Sequence, residues 1–198
     1  GRITEEGTYV ISGEATNATI YVDAQDSDKV QIVLAGANIT NENFPVIYVR
    51  SADKVFVTTL EGSTNTLQVT GTFEADGDTN VDGVIFSKDD LTIEGEGTLI
   101  INSADHAIVS KDDLTVESGT ITLNASGDGL QANDSLTVNG GTIDITSCTE
   151  GLEGTTVTIT LRNHSIVSSD DAINAASDSG DGMMSDPSCQ ILITGGTV

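Results

Sequence analysis

Short runs that open on an acid and pass straight into apolar residues recur through the second half of the chain. They are Asp82-Gly-Val-Ile-Phe86, Asp105-His-Ala-Ile-Val109, Asp128-Gly-Leu130, Glu150-Gly-Leu152 and the shorter Asp171-Ala-Ile173. Their starts step by 23, 23, 22 and 21 residues. A period near 22 built from β-rich runs is the mark of a solenoid in which one repeat makes one coil. Each unit holds three short strands and three turns: Leu114-Thr-Val116 and Thr120-Ile-Thr-Leu123 follow Ala107-Ile-Val109, with Ser, Asp, Asn or Gly in the gaps. Alternation as in Ile143-Asp144-Ile145 turns the apolar side inward. The expected fold is an all-β, right-handed parallel β-helix of ~22-residue coils with three strands each. A β-sandwich is the competing arrangement, but it seldom keeps a fixed period.

The 198 residues are read as one β-helix domain. Residues 1–81 fit the coil less regularly, and 82–174 carry the regular repeats. Two segments interrupt it. Phe73-Glu-Ala-Asp-Gly-Asp-Thr-Asn80 is an acidic bulge, and 175–187 reads as an inserted surface loop. The chain stops at Gly195-Gly-Thr-Val198, which matches mid-coil Gly140-Gly-Thr-Ile143, so a truncated piece of a longer protein is expected. Cys148 and Cys189 fall at different places in the coil and read as two free thiols.

Equivalent residues on successive coils sit about 4.8 Å apart. Two like charges at that spacing repel by about 3.5 kcal/mol at an effective dielectric of 20, and by about 0.9 in bulk water. One acidic column is Asp82, Asp105, Asp128, Glu150 and Asp171; a second, in the turn after the first strand, is Asp89 and Asp90, Asp112 and Asp113, then Asp134. Lys88 and Lys111 stand beside the second column in Ser-Lys-Asp-Asp turns, and a Lys–Asp ladder with turn capping accounts for it. Column one has only His106 near it. Either its acids cap Asp-Gly corners, or a hard cation such as Ca²⁺ joins them. The acids are densest where Glu150 and Glu153 precede Asp170, Asp171 and Asn174 by one coil. The metal candidates are therefore Asp105, Asp128, Glu150, Glu153, Asp170, Asp171 and Asn174, with Asp82, Asp89, Asp112 and Asp113 as weaker ones. The bulge Asp76-Gly-Asp78-Thr-Asn80-Val-Asp82 imitates the start of an EF-hand loop; it lacks the Gly and Glu that such a loop needs, and counts only as a weaker Ca²⁺ candidate.

There are 31 acidic residues against 7 basic ones, a formal net charge of -24. That balance repels nucleic acid and anionic membrane surfaces. No run approaches the ~20 apolar residues of a membrane span. Hydrophobic residues make up 37%, too many for a disordered acidic tail, so the acids decorate a folded body.

Val84-Ile-Phe-Ser-Lys-Asp-Asp-Leu-Thr-Ile93, Asn139-Gly-Gly-Thr-Ile143, Glu150-Gly-Leu-Glu-Gly154 and Ser169-Asp-Asp-Ala-Ile-Asn174 resemble a family of secreted bacterial carbohydrate-binding proteins with a pectate-lyase-like fold. The resemblance covers roughly 80–198 with specific motifs, and the earlier residues more loosely. It implies export to the cell exterior or surface, Ca²⁺ sites and binding of pectic or cellulosic plant-wall polysaccharide. Ser169-Asp-Asp-Ala-Ile-Asn174 is also similar to the calcium site of family 9 pectate lyases. That likeness implies Asp170, Asp171 and Asn174 as ligands with Glu150 in place of an Asp, although Ala172 stands where Gly usually follows the acids.

These readings lead to a non-catalytic, calcium-dependent binding protein for acidic or neutral plant-wall polysaccharide. A surface at -24 repels polygalacturonate unless a cation bridges the two. A calcium-dependent polysaccharide lyase is the alternative, and it requires a Lys or Arg base beside the metal. A structural surface adhesin is the third reading.

Overall fold

The computed structural model describes residues 1–160, 163–177 and 188–195. Apart from its beginning, the loop expected at 175–187 lies outside the described residues; 173–175 are strand. Among the described residues the regular structure is entirely β, and every pairing between strands is parallel. One sheet of eight strands runs through Arg2–Ile3, Ile20–Asp23, Ile47–Ser51, Gly83–Ser87, His106–Ser110, Leu130–Ala132, Leu152–Gly154 and Ile173–Ala175, each bonded to the next.

A second sheet, of thirteen strands, supplies the other two sides of each coil. Strands such as Asp90–Gly95, Leu114–Val116 and Ser135–Val138 form one side; Thr98–Ser103, Thr120–Ala125 and Thr142–Cys148 form the other. The sides merge because Lys29–Asn41 is one unbroken strand. Its Lys29–Leu34 pairs with Lys54–Thr59, and its Asn38–Asn41 with Thr66–Val69. The chain turns the corner at Gly36, where φ is 84°. Fully buried Asn65 holds that corner by accepting the N–H groups of Gly36 and Ala37 at 2.8 and 2.9 Å.

The sequence pattern explains the core. Ile85, Ile108, Leu130, Leu152 and Ile173 pair one above another, as do Val57, Ile93, Val116, Val138 and Ile159. All but Ile173 are buried, and each such side chain contributes about 1.5–3 kcal/mol. The less regular first third belongs to the same ladders. Ile3 pairs with Val22, Ile20 with Ile47 and Ile47 with Ile85, so its coils are uneven in length, not differently built.

The longest excursion holds the acidic bulge. Asp76 and Thr79 close a tight turn with reciprocal N–H···O bonds of 2.9 Å, and the Tyr48 hydroxyl donates to Asp76 at 2.7 Å. Val81 is fully buried against Tyr48, Phe86 and Val109 on the outer face of the eight-stranded sheet. The bulge is therefore a strap laid across that face. Burial and the Asp76 carboxylate hold the Tyr48 phenol well above its ordinary value.

Gly95 tests this stacking. Its φ is 102°, and a Cβ there would run into the Thr59 carbonyl of the coil below. Gly95→Ala should cost about 3 kcal/mol in urea unfolding. A loss below about 0.5 kcal/mol, the range of ordinary surface changes, would contradict the packing.

Candidate cation site

The outer face beyond the strap carries the acids, and the ladder arranges them differently from the expected single column. Ile85 pairs with Ile108, which puts Asp105 over Asp82; Ile108 pairs with Leu130, which puts Asp128 over His106. Backbone bonds show the two resulting tracks. Gly127 N donates to Asp105 O, Thr149 N to Gly127 O and Asp170 N to Thr149 O, at 2.8–3.0 Å. Asp128, Glu150 and Asp171 follow His106 on the neighbouring track. Column one is thus two partial columns offset by one residue. The cause is the core: matching Ile108 to Leu130 keeps apolar side chains stacked, and the acids follow. The offset was readable, since Asp82 and Asp105 stand three residues before their core Ile whereas Asp128, Glu150 and Asp171 stand two before theirs.

His106 sits at the offset. Its Nδ1 accepts the Asp128 N–H at 2.7 Å, which leaves the proton of the neutral ring on Nε2. Nε2 lies 3.6 Å from Asp105 and 3.8 Å from Asp82. Asp82 accepts from the Asn80 amide at 2.9 Å through Oδ2, while its Oδ1 is buried with no partner among the described residues. Asp105 is raised above the usual carboxylate range, chiefly by burial.

Asp128, Glu150 and Glu153 come together, each offering an oxygen within 4.8 Å of the others. Gln131 donates to Asp128 and Glu153 at 2.9 and 3.1 Å; Asn174 donates to Glu150 and Glu153 at 2.9 and 3.2 Å. Burial and the adjoining Glu150 push Glu153 up to about 7. Glu150 is lowered, mainly by the hydrogen bond from the Glu153 carboxyl and then by Asn174. Burial also raises Asp128. The pair therefore shares a proton near neutrality, as crowded carboxyls do without a cation. A hard divalent cation suits this oxygen set. Asp170 and Asp171 are exposed and make no side-chain contact with this cluster among the described interactions; Asp105 lies with His106 instead.

The second column also departs from expectation. Asp90, Asp112 and Asp113 offer oxygens within 4.8 Å of one another, and no described ion pair joins Lys88 or Lys111 to them. Burial and the neighbouring Asp90 and Asp134 push Asp112 up to about 6. Asp89 and Asp113 are turn caps: Asp89 accepts the Ala52 N–H, and Asp113 accepts both the N–H and hydroxyl of Ser135. The Lys–Asp ladder is broken at Lys111, which leaves its turn for the outer face, while Lys88 still favours the charged form of Asp89. The Lys111 Nζ lies 5.8 Å from the Phe86 ring centre, and Lys111 lines a cleft of about 150 Å³ with Asp82, His106, Gln131 and Glu153. Sequence neighbours hid this, since Lys111 adjoins Asp112 in the chain.

A profile described as carbohydrate-binding domain-containing protein matches residues 2–198. The chain belongs to that family. A member from Acetivibrio thermocellus is 36% identical over 104 residues, covering 52% of this chain and 36% of its own length. The chain thus spans about a third of the curated relative it matches. A solved polysaccharide lyase-like protein from C. thermocellum, a gadolinium derivative, is similar to 96% of this carbohydrate-binding domain at a TM-score of 0.77 and 26% identity, covering 89% of that chain. Its fold agrees with the parallel β-helix.

The raised Glu153 predicts a pH effect. A carboxyl whose folded value lies near 7 against an ordinary 4.5 contributes stability below about 4.5 that is lost as pH rises through about 7. In chelator, the thermal midpoint should fall across this window, and fall less in Glu153→Gln. Parallel curves for the two proteins would remove the shared proton.

Proposed function

We propose that this domain binds plant-wall polysaccharide outside the cell and that Ca²⁺ held by Asp128, Glu150 and Glu153 joins its acidic surface to uronate carboxylates. One observation carries the proposal: three carboxylate oxygens lie within 4.8 Å of one another on an outer sheet face. Their mutual repulsion disfavours full ionisation, and a hard cation removes it. Asn174 and Gln131, which now donate amide N–H groups to the acids, also have carbonyl oxygens to offer. Family membership supports the carbohydrate, and the net charge of -24 gives the cation its task.

Calorimetry with oligogalacturonate tests this. Binding should appear with Ca²⁺, vanish in excess chelator, and weaken at least about tenfold in Glu153→Gln. Binding that survives chelation would exclude the bridge.

A lyase is the second reading, favoured by Lys111. This amine lines the same cleft as Glu153, where a base beside the metal could remove a proton from a bound uronate. The expected signature is an ultraviolet-absorbing unsaturated product that Lys111→Gln abolishes while oligogalacturonate binding remains. Absence of product at any Ca²⁺ concentration leaves the domain as a binder.

A further inference from the structure

The outer face of the second sheet carries a separate groove of about 570 Å³, lined by Glu6, Thr8, Lys29, Gln31, Phe56 and Glu94 among others. It is built on the adjoining strands Gly7–Thr16, Lys29–Asn41, Lys54–Thr59 and Asp90–Gly95. None of its residues belongs to either acidic cluster. Alternation turns Val55 and Val57 into the core and Phe56 outward, so a half-buried ring lies on the floor. The register places Thr8, Gln31, Phe56 and Thr92 in one column. An aromatic ring thus interrupts a line of polar side chains that otherwise continues through Thr115 and Thr137.

Beside the ring runs a fixed polar chain. Thr8 donates to Gln31 at 3.0 Å, Gln31 to Thr58 at 3.0 Å, and Thr58 to Glu94 at 2.9 Å. These bonds hold the Gln31 amide and Glu94 carboxylate in place and use only part of their capacity. Gln31 keeps one N–H and one carbonyl lone pair, and Glu94 keeps its second oxygen. Lys54 Nζ lies over the Phe56 ring, 6.0 Å from its centre. Lys29 is largely exposed, with Asp53 at 3.8 Å. An apolar face with donors and acceptors along its rim suits a sugar ring, whose C–H face packs on an aromatic surface while its hydroxyls bond at the edge.

The charges select the kind of sugar. Glu6 and Glu94 offset Lys29 in the groove and Lys54 over its ring, so it has no excess positive charge for a uronate. We propose that the groove is a second, metal-independent subsite for a neutral hexose or pentose chain, with the ring of one residue on Phe56 and hydroxyls on Gln31 and Glu94. It rests on the carbohydrate-binding reading above and divides the work: the acidic cleft takes charged segments through a cation, and the Phe56 groove takes uncharged ones without it.

The test is calorimetric titration of the whole chain with cellohexaose and with xylohexaose in excess chelator. At least one should bind, and Phe56→Thr, which copies Thr92 of the next coil, should weaken it about tenfold. Glu94→Gln should weaken it less, and Glu153→Gln should leave it unchanged. Circular dichroism checks the fold of all three variants, and an unaltered Ca²⁺-dependent response to oligogalacturonate checks it again for Phe56→Thr and Glu94→Gln. If neither neutral hexamer binds, or Phe56→Thr and Glu94→Gln both bind like the parent, the subsite is overturned. Oligogalacturonate binding in the same preparations would then leave the acidic cleft standing by itself. Hexamer binding without any oligogalacturonate binding would instead keep the Phe56 subsite and overturn the acidic cleft.

Discussion

Everything in this protein depends on the strand spacing of about 4.8 Å at which one coil rests on the next. Parallel pairing places each residue above its counterpart, so the character of a position is multiplied along the axis. For apolar side chains the multiplication is favourable, and the Ile, Leu and Val stacks fill the interior. For carboxylates it is unfavourable by up to a few kcal/mol per neighbour. The acids must therefore be spread between tracks, capped by backbone N–H groups, or left sharing protons. All three occur, at Asp105 against Asp128, at Asp89 and Asp113, and at Glu150 with Glu153.

The fold was legible because the core repeat is dense and its period nearly constant. Three strands per coil and the inward Ile and Leu positions follow from alternation alone, and the free thiols of Cys148 and Cys189 follow from their different places in the coil. The first third is less legible because its coils are uneven in length, so period gives little help there. The merger of two sides into one sheet is not legible in the repeat. It depends on Gly36 and the buried Asn65, two residues that look like ordinary turn material in a sequence.

The candidate site was legible in part. Glu150, Glu153 and Asn174 do converge, and Asp128 joins them from the coil below. What the acid repeat obscured was register, because aligning Asp with Asp across Asp105 and Asp128 is tempting although the core aligns Ile108 with Leu130. Lys111 was misplaced for a related reason. Proximity in the chain suggested Asp112 and Asp113 as partners, but the side chain crosses to Phe86 and the acidic cleft. Tertiary reach of a long side chain leaves no trace in spacing. The Phe56 groove has no signature in the sequence, because a single Phe amid strand residues carries no motif.

The one-residue offset between Asp105 and Asp128 acts like a vernier scale. Core positions coincide on every coil, while the polar marks beside them slide by a single division wherever a corner gains or loses a residue. An insertion or deletion in one turn would therefore redraw the charge pattern across that boundary and leave the hydrophobic graduations intact. In such a scaffold, ligand chemistry can change by corner length alone, with no substitution in the residues that bind.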